Sequence, residues 1–132
     1  HVLPALIRRF HEAKENKEPF VTCWGDGSAL REFLYVDDLA DLCVFLMNHY
    51  SGSETVNAGT GKEIRIKALA ELVAGIVGYE GEIRWDPSKP NGTPRKLLDV
   101  SKAEGLGWTY QTSLESGIRL AYEDFLAHAA RM

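Results

Sequence analysis

Val2, Leu6, Phe10 and Ala13 recur at the spacing that lines one helical face, so VLPALIRRFHEAKE reads as an amphipathic helix. Pro4 suits its first turn, where a missing N–H is not needed. PFVTCW, rich in β-branched and aromatic residues, predicts a short strand. GDGS is a turn and REFLYV a second short strand. DDLADLCVFLMNHY is apolar around more than one face, which predicts a buried helix, with Asp37 or Asp38 as a charge or cap at its start. TVNAG reads as a brief strand entering a glycine-rich turn. IKALAELVAGIVG predicts an amphipathic helix with Leu69, Leu72, Val73 and Ile76 on its apolar face and Gly78 as its stop. GEIRWD is another strand, and the segment from Pro87 to Pro94 is a surface loop dense in turn formers. RKLLDVSKAEGLGW starts extended and ends in a short helix capped by Ser101. The last helix opens at Ser113 and carries Leu114, Ile118, Tyr122, Phe125 and Leu126 on one stripe.

These elements predict an α/β domain over residues 1–132, with several helices and a small mixed sheet, or strands that extend a sheet begun by another segment. A start on a helix with no strand before it leads us to expect a piece of something larger. At 132 residues and 45% hydrophobic, the composition is that of one globular domain. A formal charge of −4 gives no general attraction to nucleic acid or to an anionic membrane, so an anion site must be built from local cations. No apolar run reaches the ~18 residues of a membrane span. Cys23 and Cys43 have no zinc spacing and are expected to be buried free thiols in a reducing cytoplasm.

Two glycine-rich loops fail as phosphate cradles. GDG at 25–27 lacks a third glycine at the required offset and leads into a strand, whereas a dinucleotide loop opens a helix. NAGTGKE is too short for a Walker loop and has Glu63 where a magnesium-binding hydroxyl belongs. His1, His11, His49 and His128 show no metal-ligand spacing, and the last three are expected to face solvent. There is no GxSxG elbow and no YxxxK pair. Arg9, Arg31, Arg95 and Lys96 stand beside structural punctuation, a placement suited to gripping phosphate, although surface cations are often merely solvated. Trp24 offers a stacking platform, although a tryptophan closing a strand is more often core.

Five segments together resemble the carboxy-terminal part of the GDP-L-fucose synthases, a family of extended short-chain dehydrogenase/reductases: HVLPALIRRFHEA, WGDGSALREFLYVDDLA, NAGTGKEIRIKALAELVAGIVGYEG, SKPNGTPRKLLDVSKAEGLGW and SLESGIRLAYEDFL. The resemblance runs the length of the chain, and WG-G---REF--VDD with SKP-GTPRKLLD carries its specificity. It implies the substrate-binding domain of a Rossmann-like protein whose NADPH-binding amino-terminal domain is not in this chain. The implied reaction converts GDP-4-keto-6-deoxy-D-mannose to GDP-L-fucose by 3,5-epimerisation and NADPH-dependent reduction of the 4-ketone, in a cytoplasmic homodimer. By the same resemblance His1 is the catalytic acid or base, at a frayed end. Arg9, Arg31 and Lys96 contact the diphosphate side of the GDP-sugar, and Trp24 lines the same pocket. Arg95 joins them on charge grounds alone. The resemblance assigns no metal and no cofactor-binding residue to this chain, and it implies that the fragment is inactive alone. Competing expectations are the substrate domain of another extended nucleotide-sugar epimerase or dehydratase, and a binding module without catalysis.

Overall fold

The computed structural model describes residues 2–96 and 98–130. Its elements run α1 (Val2–Glu15), β1 (Phe20–Trp24), β2 (Leu30–Arg31), α2 (Val36–His49), β3 (Ile64–Arg65), α3 (Ile66–Val77), β4 (Glu82–Asp86), α4 (Ser101–Gly105) and α5 (Leu114–Ala130). The α/β class agrees with the sequence, and both strand directions occur, but in two separate ladders. β1 and β4 pair in parallel from Phe20↔Glu82 to Trp24↔Asp86. β2 and β3 pair antiparallel through Leu30↔Arg65 and Arg31↔Ile64, and Leu30 also bridges Arg95.

The main core forms where α1, α3 and α5 cover β1. Leu6 and Phe10 from α1, Val21 and Cys23 from β1, Leu69 and Val73 from α3 and Ile118 from α5 are all buried there. Each such side chain stabilises the fold by about 1.5–3 kcal/mol relative to exposure. Alternation in β1 turns Val21 and Cys23 inward and leaves Phe20 and Trp24 outside. Gly78 stops α3 in the left-handed conformation (φ 86°), and its N–H and that of Tyr79 both donate to the Ala74 carbonyl at 2.9 Å. A smaller core gathers Leu42, Ala103 and Trp108.

Several expectations change. REFLYV is a ladder only over Leu30–Arg31, because the chain then crosses between cores: Phe33 packs on the main one and Leu34 on the smaller. TVNAG is not a strand. Val56 and Ala58 pack on the smaller core, and the Asn57 side chain donates to the Asp99 carbonyl at 3.2 Å. Tyr35, without a side-chain bond, is the N-cap of α2. Asp37 and Asp38 place negative charge in the first turn, as expected, but Asp38 is buried and accepts the Thr112 N–H at 2.9 Å, tying α2 to the entry of α5. Ser101 does not cap α4. Asp99 accepts the Ser101 N–H at 3.0 Å, and that bond holds its carboxyl below the usual range. Ser113 does accept the Ser116 N–H at 3.2 Å, as its placement predicted. His11 does not face solvent: it is half-buried between α1 and α5, with Nδ1 2.9 Å from the Tyr122 hydroxyl and its ring edge-on to Phe125.

The helix expected to be buried, α2, buries one face only. Leu42 seals the smaller core, while Val36, Leu39, Val44 and Met47 are exposed, Met47 at 83%. Cys43 is exposed as well, so only Cys23 of the two thiols is buried. No described residue covers this apolar stripe, which favours association. Where copies of the chain associate through this stripe, Val44→Glu with Met47→Lys is expected to weaken that association about tenfold, because about 1.5 kcal/mol of apolar burial is removed. Sedimentation velocity over a concentration series measures it, with the thermal midpoint unmoved because neither residue packs in a core.

Candidate functional site

Arg9 on α1 and Arg31 on β2 meet at one cavity of about 330 Å³, together with Cys23 and Trp24 of β1, Trp85 of β4 and Asn91. Each arrives for a local reason. Arg9 follows Arg8 on the polar flank of α1, but the two differ in their partners. Arg8 spends its charge on Glu12 at 2.9 Å, one turn on, while Arg9 donates to the Thr22 carbonyl at 2.6 Å. Arg31 donates to the Leu30 carbonyl at 2.7 Å. Among the described residues neither Arg9, Arg31 nor Lys96 forms an ion pair with a carboxylate. Their charge is therefore unneutralised, which is what an anion needs to find.

Trp24 is 63% exposed, with Lys89 Nζ 5.7 Å from its ring centre. The core alternative for this tryptophan therefore fails. Strand alternation puts its neighbour Cys23 inward, and the parallel register sets Cys23 beside Trp85. Burial pushes the Cys23 thiol up from its ordinary value, an effect only partly opposed by the charge of Arg9. The thiol stays protonated near neutral pH and lines the cavity as an apolar group rather than a nucleophile.

The turn after Trp24 and the loop between Asp86 and Arg95 close over this cavity. Gly25 has φ +80°, and a Cβ there would run into the Asn91 side chain. Asn91 Oδ1 accepts the Asp26 N–H at 2.9 Å, latching loop to turn. Gly92, also left-handed, brings the loop so near that an added Cβ would lie 3.2 Å from the Arg31 guanidinium. Asp26 accepts both the hydroxyl and the N–H of Ser28, which hold its carboxyl below the usual range and stiffen the turn.

Lys96 lines a second cavity, of about 550 Å³, with Arg31, Glu32, Leu34, Ala58 and Leu98. Arg31 is thus the wall between the two. Arg95 lines neither. Its guanidinium is forked onto Glu63, at 2.7 and 2.5 Å, so the charge for which it was singled out is already matched. A third cavity, of about 500 Å³, reaches the other side of Arg9, but Glu12 and Glu18 on its walls disfavour an anion. His1 lies outside the described residues. No group of metal-ligating side chains occurs among the described residues, and none of the helices is long and apolar enough to cross a membrane.

Trp85, Asn91 and Glu32 were not singled out from the sequence. For Trp85 the signal existed: two residues after Ile83 in GEIRWD, it shares the strand face that turns inward. Asn91 and Glu32 act through tertiary hydrogen bonds, which leave no local pattern.

Residues 1–59 match the sequence profile of the NAD dependent epimerase/dehydratase family. GDP-L-fucose synthase 1 of Arabidopsis thaliana is 60% identical over 126 residues, 96% of this chain and 39% of that protein. Among solved structures, a GDP-L-fucose synthetase from Naegleria fowleri superposes with a TM-score of 0.92 at 28% identity, over 98% of this chain and 40% of the other. A GDP-mannoheptose C4 reductase from Campylobacter jejuni, with NADP bound, superposes with a TM-score of 0.84 at 35% identity, over 96% of this chain and 45% of the other. The chain spans about two fifths of the length of the curated relatives it matches. Over residues 1–59 in sequence, and along its length in fold, this chain is similar to the NAD dependent epimerase/dehydratase family and to nucleotide-sugar reductases and synthases related to it.

Proposed function

We propose that this chain is the GDP-sugar-binding part of an enzyme that converts GDP-4-keto-6-deoxy-D-mannose to GDP-L-fucose by 3,5-epimerisation and NADPH-dependent 4-keto reduction. One observation carries the reading: Arg9, Trp24 and Arg31, from three different elements, border a single cavity with the two arginines unpaired, and Lys96 lines a second cavity that Arg31 also borders. The relatives named for GDP-sugars support it. Arg9 and Arg31 grip the diphosphate, Trp24 stacks on a ring of the ligand, and Lys96 takes the oxygens on the far side of Arg31. An arginine fork matches two phosphate oxygens at once, a geometry a lysine does not offer. Arg95 takes part only by aligning its neighbour Lys96.

The described residues do not fit NADPH. The turn at Gly25–Gly27 runs into β2 rather than into a helix N-terminus, so it presents no row of N–H groups to a pyrophosphate. We assign cofactor binding to an amino-terminal domain outside this chain, and no turnover to this chain alone. The assembled enzyme is a cytoplasmic homodimer in this reading, with residues 1–132 as its substrate-binding domain. His1 serves there as acid or base in the epimerisation, since an imidazole exchanges protons near neutral pH.

Tryptophan fluorescence tests the reading, because Trp24 and Trp85 border the cavity while Trp108 is buried in the smaller core. Titration with GDP-L-fucose is expected to quench emission saturably, with Trp24→Phe removing most of the change. UDP- and dTDP-sugars should bind at least tenfold more weakly. A flat titration, or equal affinity for all three nucleotides, sinks the proposal.

A further inference from the structure

One carboxylate in this region has no place in phosphate binding and yet lines the second cavity. Glu32 follows Arg31 directly, where β2 ends, and is half-buried. Its Oε2 accepts the Gly61 N–H at 2.7 Å and its Oε1 accepts the Leu98 N–H at 2.9 Å. A single side chain thus holds two loops that are distant from it in sequence. The first approaches so closely that a Cβ on Gly59 would come within 2.9–3.0 Å of the carboxylate atoms.

The other end of the Lys96 segment is anchored as well. The Leu30 N–H donates to the Pro94 carbonyl at 2.9 Å, and Arg95 is forked onto Glu63. Lys96 therefore sits between two fastenings: one at Pro94–Arg95, made to Leu30 of β2 and to Glu63 just before β3, and one at Leu98, made to Glu32 just after β2. Arg31 lies on β2 itself. We propose that Glu32 is a positioning residue that fixes the spacing of Lys96 from Arg31, so that both cations meet one diphosphate-linked ligand. Glu32 serves to hold the two loops, since each of its oxygens accepts a backbone N–H from one of them. The same two bonds offset the repulsion its charge would offer an anion in that cavity. This inference rests on the GDP-sugar reading above.

The test is a double-mutant cycle in the intact protein, with GDP-L-fucose affinity measured by calorimetry, KM and kcat by turnover, and the fold by its thermal midpoint. Glu32→Gln keeps the shape but turns an amide donor toward one of the two N–H groups. Glu32→Asp keeps the charge but is one carbon too short to reach both, and serves if the first variant does not fold. Either is expected to weaken binding about tenfold, with the loss in KM rather than kcat. Lys96→Ala should also weaken binding, and in that background the Glu32 substitution should cost less than twofold more. A full tenfold loss in the Lys96→Ala background, or no loss with either Glu32 variant, overturns the assignment. If the unsubstituted protein takes up no GDP-L-fucose, the site reading itself falls and this inference with it. If it binds and Lys96→Ala alone weakens it, only the role of Glu32 falls.

Discussion

Replacing Arg31 by alanine is expected to weaken GDP-sugar binding about 30- to 150-fold, the largest loss of any single cation here. The size follows from charge-assisted hydrogen bonds to phosphate, worth about 2–3 kcal/mol when they are shielded from water. Position explains why Arg31 exceeds Arg9 and Lys96. It borders both cavities, and Gly92 presses the covering loop against it, so its guanidinium is held rather than free to swing. Little rotamer entropy is then left to lose on binding. Arg31→Lys keeps the charge without the fork and should recover part of the affinity, leaving a loss of about tenfold. Calorimetric titration of each variant with GDP-L-fucose decides the matter. A loss below threefold for Arg31→Ala, with the fold intact, would place the diphosphate elsewhere.

Phe10→Ala is expected to be the most damaging substitution in the core. Phe10 is fully buried on α1, in ring contact with Tyr79 at 5.6 Å between centres. Truncating a buried phenylalanine costs about 3–5 kcal/mol, from lost transfer energy and the cavity left behind. Domain stabilities run to about 5–15 kcal/mol in total, so a large part of the stability is removed. A fall of about 10–20 °C in the thermal midpoint is expected for a domain of this size. Because Arg9 is the next residue back on the same helix, ligand affinity should fall with it. Arg8→Ala is the control. Its i,i+4 pair with Glu12 is exposed and worth no more than about 0.5 kcal/mol, so the midpoint should barely move. A Phe10→Ala protein that melts within 3 °C of the original would contradict the packing described here.

What could be read in the sequence is what periodicity encodes. α1 and α3 bury the stripe that their spacing marks, α5 does so except at Leu126, which is exposed, and β1 and β4 fall within PFVTCW and GEIRWD, both read as strands. α2 shows the limit. Its two apolar faces are equally visible, but only one meets this chain, and local pattern does not say which. Asp38 looked like a cap because a carboxylate before an apolar helix usually is one; the N–H it accepts belongs to Thr112, far along the chain. At the site, Arg9, Arg31 and Lys96 stood out by residue type and position. That Arg95, beside Lys96, is neutralised by Glu63 is a tertiary fact. So is the exposure of Trp24, which strand alternation permits but does not require.

A wall shared by two rooms constrains anyone who would remodel either. Since the one guanidinium of Arg31 lines both hollows, in the GDP-sugar reading a change meant to admit a different sugar would also alter what the nucleotide meets, and the reverse. Selectivity at the two ends of a ligand is therefore not separable here, and altered variants are better sought as paired substitutions, one on each side of that arginine, than as independent single steps later combined.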